Sequence, residues 1–253
     1  MKKEEKEALF CMKLAQIAYH GEYGKNDINK KIHNYKEYRI KNTEFFTCKD
    51  SKNDFYIVFQ GSNNLKDWIA NLKFLSETDS QLDMESLERI GTDFKFHKGH
   101  LKQWHDVEDF IFKKLIENGF IQNINKIYFT GHSLGGSLAE IGSCITAKCF
   151  PFLKEKLVVR SFGANRNMGW KTKHWFNKNV MDCYRYVNGD DIVPKMPPNL
   201  IDRIGLCHPA TKRKIGRKEP WWKFLLPIHN IKHDIEDHYP QAYIKSLENE
   251  VIK

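Results

Sequence analysis

The stretch Lys126-Ile-Tyr-Phe-Thr-Gly131-His132-Ser133-Leu134-Gly135-Gly136-Ser-Leu-Ala139 constrains the fold more than any other part of the chain. Ile127, Tyr128 and Phe129 form a short β-prone run of the kind buried on both faces of a sheet. Leu134, Leu138, Ile141 and Ile145 recur at helical spacing, which predicts an amphipathic helix with one apolar stripe. Between strand and helix lies Gly131-x-Ser133-x-Gly135, a turn tight enough that side chains at its flanks would clash. Chance alone supplies Gly-x-Ser-x-Gly in a chain of this length roughly once in ten, so the flanking elements carry the weight. In that setting the turn pushes a serine hydroxyl into the open, and the first helical turn offers N–H groups to an oxyanion.

The rest of the chain alternates in the same way. Tyr38 to Cys48 reads as a strand, Asp50 to Asp54 as a turn, and Phe55 to Phe59 as a buried strand. A helix is expected from about His100 to Asn118, with Trp104, Val107, Ile111 and Leu115 on one face. Leu157 to Phe162 and Cys183 to Val187 read as two further strands, and a final helix starts near Gln241. Strands alternating with helices predict an α/β fold with a mostly parallel central sheet and helices on both faces. There is no internal repeat and no low-complexity linker, so residues 1–253 are expected to form one domain.

With 253 residues, 41% of them hydrophobic, the chain can bury one large core. No run approaches the ~18 apolar residues of a membrane span. Ala8, Leu9, Cys11, Met12, Ala15 and Ala18 share a helical face interrupted by Lys13, which is an amphipathic helix and not a secretory signal. The default expectation is therefore a cytoplasmic protein, with export by a signal-independent route left open. The six cysteines are scattered without a Cys-x-x-Cys pair, so reduced thiols are expected, with Cys144 and Cys149 as small core residues. No spacing suggests a metal site, and no cofactor is expected. The formal net charge of +9 suits a lysine-rich surface or an anionic membrane. No helix-turn-helix, zinc-finger or RNA-recognition pattern is present, so nucleic acid is not an expected partner.

A seryl nucleophile needs a base, and the base needs an acid to orient it. In sheets of this kind these follow in the order Ser, Asp or Glu, His, on loops at the carboxyl ends of later strands. The run Asn188-Gly-Asp190-Asp191-Ile-Val-Pro194 places an acidic pair in the required loop. Downstream lie His208, His229, His233 and His238, and position favours His238, just before the last helix.

Four segments in order then resemble the class 3 lipase family, the fungal-type triacylglycerol lipases within the α/β-hydrolase fold. Val58-Phe-Gln-Gly61-Ser62, with Asp67-Trp68 behind it, is similar to the family's Phe-Arg-Gly-Thr/Ser and Asp-Trp. Phe96-His97-Lys98-Gly99-His100 resembles Val-His-x-Gly-Phe. The third segment is Gly-His-Ser-Leu-Gly-Gly-Ser-Leu-Ala, and the fourth is Asp191-Ile-Val-Pro-Lys-Met-Pro-Pro followed by Asp237-His238. The resemblance spans roughly residues 40–245. It implies Ser133 as nucleophile, Asp191 as the orienting acid, His238 as the base, and an oxyanion hole built on Ser62 and Leu134. Gln60 stands where the family has Arg, and Phe162-Gly-Ala-Asn165-Arg166-Asn167-Met168 departs from Phe-Gly-x-Pro-Arg-Val-Gly. A differently shaped loop is expected there, with consequences for substrate fit.

The resemblance also puts a lid at Leu65, Trp68, Ile69 and Leu72, which share a face that could cover an acyl groove or pack as an ordinary helix. Lys212-Arg-Lys-Ile-Gly-Arg217-Lys218 followed by Trp221 and Trp222 suits an anionic bilayer interface, or else a basic loop leading into a core segment. The expected activity is hydrolysis of lipid carboxylic esters, as a lipase or a phospholipase A. The basic balance favours phospholipid over neutral acylglycerol. The alternatives are a small-ester or thioester acyl hydrolase, and a catalytically silent lipid-binding protein of the same fold.

Overall fold

Three strands that each open on a run of apolar residues form the centre of the sheet. In the computed structural model, which describes residues 3–20, 28, 30–62, 94–117, 121–197, 205–217 and 235–252, β3 (Phe55–Phe59), β4 (Ile127–His132) and β5 (Leu157–Phe162) are buried at every position. Strands covered on both faces have no solvent side, so their sequences need not alternate. They run parallel to each other and to β7 (Asp182–Asn188), which pairs in turn with β9 (Thr211–Ile215). On the other side β1 (Ile32–Ile40) and β2 (Thr43–Asp50) join antiparallel, giving the order β1-β2-β3-β4-β5-β7-β9. A separate pair, β6 (Met168–Gly169) and β8 (Leu206–Cys207), lies outside this sheet.

Helices cover both faces. One face carries α2 (Lys98–Ile116) and α3 (Leu134–Cys149), whose core includes Trp104, Ile111, Phe129 and Ile141. Across the sheet, α1 (Lys3–His20) and α5 (Pro240–Ile252) pack Met12, Leu14, Tyr243 and Leu247 against Val58, Tyr128 and Phe162. The remaining helix, α4 (Trp170–Asn179), follows β6. Helix α1 is tied to β5 by Glu7 and Arg160 at 2.6 Å and to α5 by Lys13 and Glu248 at 2.9 Å. All six cysteines are free thiols, and Cys149 is only half-buried. No described helix is long and apolar enough to cross a membrane.

Three expectations need correction. The segment Tyr38–Cys48 is not one strand, because a turn at Lys41-Asn42 folds it into the β1–β2 hairpin, with Lys41 at φ 50°. Helix α3 is not amphipathic, since every residue from 135 to 147 is buried. Its polar side chains are partnered instead: Ser137 donates to Asn165 Oδ1 at 2.6 Å, and Ser143 donates to the Glu140 carbonyl at 3.0 Å. The third correction concerns the basic run beginning at Lys212, whose first part is edge strand β9. There Arg213 is spent on Glu4 at 2.9 Å, and lysines along an exposed edge discourage pairing with other strands. The proposed lid and interface residues Leu65, Trp68, Ile69, Leu72, Trp221 and Trp222 lie outside the described residues.

Candidate active site

Strands β3, β4, β5 and β7 end on the same edge of the sheet, where ligands of open α/β folds bind. Ser133 follows β4 immediately, at φ 58° and ψ −127°, a conformation that L residues rarely adopt. The strain is held by close packing. Ser133 N–H donates to the Phe162 carbonyl at 2.8 Å, and a Cβ on Gly135 would lie 2.3 Å from the Phe59 carbonyl oxygen. Only glycine at 135 lets the start of α3 come this near β3. The helix then begins with Ser137 N–H on the Ser133 carbonyl at 3.2 Å, leaving the earlier N–H groups unclaimed by the helix.

Asp191 sits just past β7 and is fully buried. Val193 N–H donates to its Oδ1 at 2.9 Å, while His238 Nδ1 lies 2.8 Å from Oδ2. A second donor reaches Oδ2: the Tyr243 hydroxyl, at 2.5 Å. Burial and the Asp191 charge push the Tyr243 phenol well above its ordinary range, so it stays a donor. The neighbouring Asp190 is engaged differently, with its N–H on Asp237 Oδ2 at 2.9 Å. Among the histidines considered, His238 is the one set on Asp191. His208 places Nε2 2.6 Å from the Pro194 carbonyl and so braces the acid loop, while His229 and His233 lie outside the described residues.

Since Nδ1 of His238 faces a carboxylate, its proton sits there and Nε2 presents a lone pair. Among the described residues neither His238 Nε2 nor Ser133 Oγ has a hydrogen-bond partner, although both are buried. A buried acceptor and a buried hydroxyl left open are costly unless something uses them. Leu134, the next residue after Ser133, lines a cavity of about 220 Å³ together with Thr43, Gln60, Gly61, Ser62 and Leu138. It brings Ser62 and Leu134 to one space, as an oxyanion hole requires. Gln60, at the position of the family's Arg, donates its N–H to the Glu44 carbonyl at 3.0 Å and so ties this loop to β2.

The unusual loop after β5 has its own supports. Asn167 Nδ2 and the Ser161 hydroxyl each donate to Glu140 at 2.6 Å, and the Arg166 guanidinium donates to the Pro197 carbonyl at 2.6 Å. Burial pushes the Glu140 carboxyl up to about 7 against the pull of Ser161, Asn167 and Arg185. Glu140 and Tyr243 carry no signal in the sequence. A stripe of apolar residues hides a buried glutamate, and no local pattern marks a tyrosine that donates to a carboxylate 52 residues away. Among the described residues no group of three or more His, Cys, Asp or Glu could hold a metal ion.

Residues 56–201 match the family described as lipase (class 3). The chain is 28% identical over 150 residues to a lipase of Rhizomucor miehei, covering 59% of this chain and 39% of that protein. It is 26% identical over 155 residues to secreted mono- and diacylglycerol lipase 1 of Fusarium solani, covering 61% of this chain and 42% of that one. The chain thus spans about two fifths of the length of these curated relatives. Among solved structures, lipase II from Rhizopus niveus superposes with a TM-score of 0.71 at 20% identity, covering 93% of this chain and 92% of that one. That likeness shows the α/β-hydrolase fold.

Proposed function

Since this chain belongs to the class 3 lipase family, we propose that it is a serine hydrolase of lipid carboxylic esters. The observation that carries the reading is the pairing of His238 with Asp191, its ring 4.6 Å from that of His132, the neighbour in the chain of a strained, unpartnered Ser133. Ser133 Oγ attacks the acyl carbonyl while His238 Nε2 takes its proton. Asp191 holds the imidazolium that forms and is itself steadied by Val193 and Tyr243. The oxyanion takes the N–H groups of Ser62 and Leu134. On collapse the alcohol leaves with the proton from His238, and the acyl group stays on Ser133. Water then attacks, His238 takes its proton, and the fatty acid departs as Ser133 recovers its hydrogen.

The names of the relatives, a lipase and a mono- and diacylglycerol lipase, favour acylglycerols as substrates. A phospholipase A reading rests on the net charge of +9 alone. Hydrolysis of a chromogenic acyl ester by wild type and Ser133→Ala tests the mechanism. Wild type should be active and the variant nearly silent, and equal rates would sink the proposal. A panel of diacylglycerol, phosphatidylcholine and short-chain esters then sorts the substrates. Rates that fall steadily as the acyl chain lengthens would favour a small-ester hydrolase.

A further inference from the structure

His238 lies on a loop before α5, not at a strand end, so something must hold it at the right height over Ser133. On the acid side the loop is clamped by Asp237, whose carbonyl accepts from Asn188 Nδ2 at 2.9 Å and whose Oδ2 accepts from Asp190 N–H at 2.9 Å. On the nucleophile side there is one polar tie among the described residues. His132 Nε2 lies 2.7 Å from the main-chain carbonyl oxygen of His238.

We infer that His132, with Tyr19 behind it, is a positioning residue for the base: it pins the His238 main chain to the end of β4 and so sets His238 Nε2 against Ser133. The inference rests on the hydrolase reading above.

The chemistry of the partners fixes the protons. A carbonyl can only accept, so His132 Nε2 must carry its hydrogen. In a neutral ring Nδ1 is then an acceptor, and the Tyr19 hydroxyl stands 2.9 Å from it. Burial pushes the Tyr19 phenol up, so it keeps the proton it donates. The His132 ring is fully buried and held well below the usual histidine range, first by that burial and then by His238. Neutrality matters, because the two imidazole centroids lie 4.6 Å apart, with the rings tilted 39° to each other. A proton arriving on His238 during turnover therefore meets a neutral ring, not a second cation.

Tyr19 reaches this position because residue 61 is glycine. A Cβ there would fall 1.8 Å from the Tyr19 hydroxyl oxygen. One hydroxyl from α1 thus touches the imidazole of the elbow and the residue before Ser62. Nucleophile turn, oxyanion loop and base are joined through it. Tyr19 lies outside the residues matched to the family.

The test compares His132→Leu, His132→Gln and Tyr19→Phe with wild type, using kcat and KM on a short acyl ester and thermal midpoints. The rate of Ser133 labelling by an alkyl fluorophosphonate is measured alongside. Glutamine places an amide N–H near the position of Nε2, whereas leucine places none. Leu at 132 should lower kcat and labelling at least tenfold with KM within about twofold, since small misplacements near the chemistry cost up to roughly 100-fold. Gln should recover most of that loss, and Tyr19→Phe should cost several-fold in kcat alone. Unchanged kcat in a folded His132→Leu protein, or equal losses for Leu and Gln, would overturn the inference. If His132→Leu does not fold, Tyr19→Phe decides, and wild-type kcat and labelling in it would likewise overturn the inference. Labelling keeps the two readings apart. Wild type that labels at Ser133 but cleaves no lipid ester contradicts the substrate reading and leaves the positioning role to be judged on labelling rates. Wild type that neither labels nor turns over removes both.

Discussion

Tyr243 donates its hydroxyl to Asp191 Oδ2 at 2.5 Å, the same oxygen that faces His238 Nδ1. A carboxylate oxygen can take both hydrogen bonds, and the second one stops the group from turning away from the imidazole. Hydrogen bonds to charged groups contribute about 1.5–3 kcal/mol. Tyr243→Phe keeps the ring packed in the α1–α5 core and removes the hydroxyl, which is this donor and an acceptor for the Asn188 main chain. With Val193 N–H still on Oδ1, part of the restraint survives. The expected result is a kcat about threefold to tenfold lower, with KM unchanged, in steady-state kinetics on a chromogenic ester. Full activity in the variant would mean that Val193 and His238 alone orient Asp191.

The backbone at Ser133 should show its strain as a trade between stability and activity. At φ 58° and ψ −127°, a residue with a Cβ sits where glycine is at ease. Such strain costs on the order of 1–3 kcal/mol. Ser133→Gly is therefore expected to melt a few degrees higher than wild type, at about 2–4 °C per kcal/mol for a chain of this size. Ser133→Ala keeps the strain and should melt close to wild type. Both are inactive. Calorimetry of the three proteins decides, and a Gly variant no more stable than the Ala variant would show that the turn is unstrained.

In the proposed mechanism Ser62 offers the oxyanion a main-chain N–H and a hydroxyl. Removing a whole oxyanion donor costs roughly 100- to 1000-fold. Ser62→Ala deletes only the hydroxyl, so the loss in kcat should stay below about 100-fold. The side chain is half-buried at the rim of the 220 Å³ cavity, and stability should hardly change. A drop as large as that of Ser133→Ala would mean that the hydroxyl, not the N–H, is the principal donor.

How far these features could be read in advance depended on whether the physics behind them is local. Phe55–Phe59 and Leu157–Phe162 have the bounds expected of them, because each opens on a β-prone apolar run and stops short of a glycine turn. The β1–β2 turn escaped notice since Lys41-Asn42 carries no glycine to announce a positive φ. Strand β9 escaped because an edge strand needs no apolar face, and Thr-Lys-Arg-Lys-Ile looks like a surface loop. In the site, Ser133 and Asp191 each stand in a recognisable motif, Gly-x-Ser-x-Gly and Asp-x-Val-Pro-x-x-Pro-Pro, whereas His238 is marked only by its place before the last helix. Tyr19, His132 and Tyr243 act through hydrogen bonds that span 113, 106 and 52 residues, a separation at which sequence spacing carries no signal.

Glu140 gives the fold a pH dependence with a definite sign. Its ordinary value is 4.5, and burial raises it to about 7 in the folded protein. A raised folded-state value means that the folded chain holds a proton which the unfolded chain has released. The stability linked to that proton is fully present below about pH 4.5 and is lost as the pH rises through about 7. Glu140→Gln imitates the protonated form at every pH. Its amide can donate to the Ser161 hydroxyl, which reverses its role, and its oxygen can still accept from Asn167. The variant should match wild type near pH 4.5 and exceed it above pH 7, by about 3 kcal/mol at most. The buried histidines His100, His132 and His208, all held well below the usual range, titrate alike in both proteins and cancel in the difference. Denaturant unfolding of both at pH 5 and pH 8 measures the effect. An advantage of the same size at both pH values would place the benefit in packing and not in the carboxyl proton.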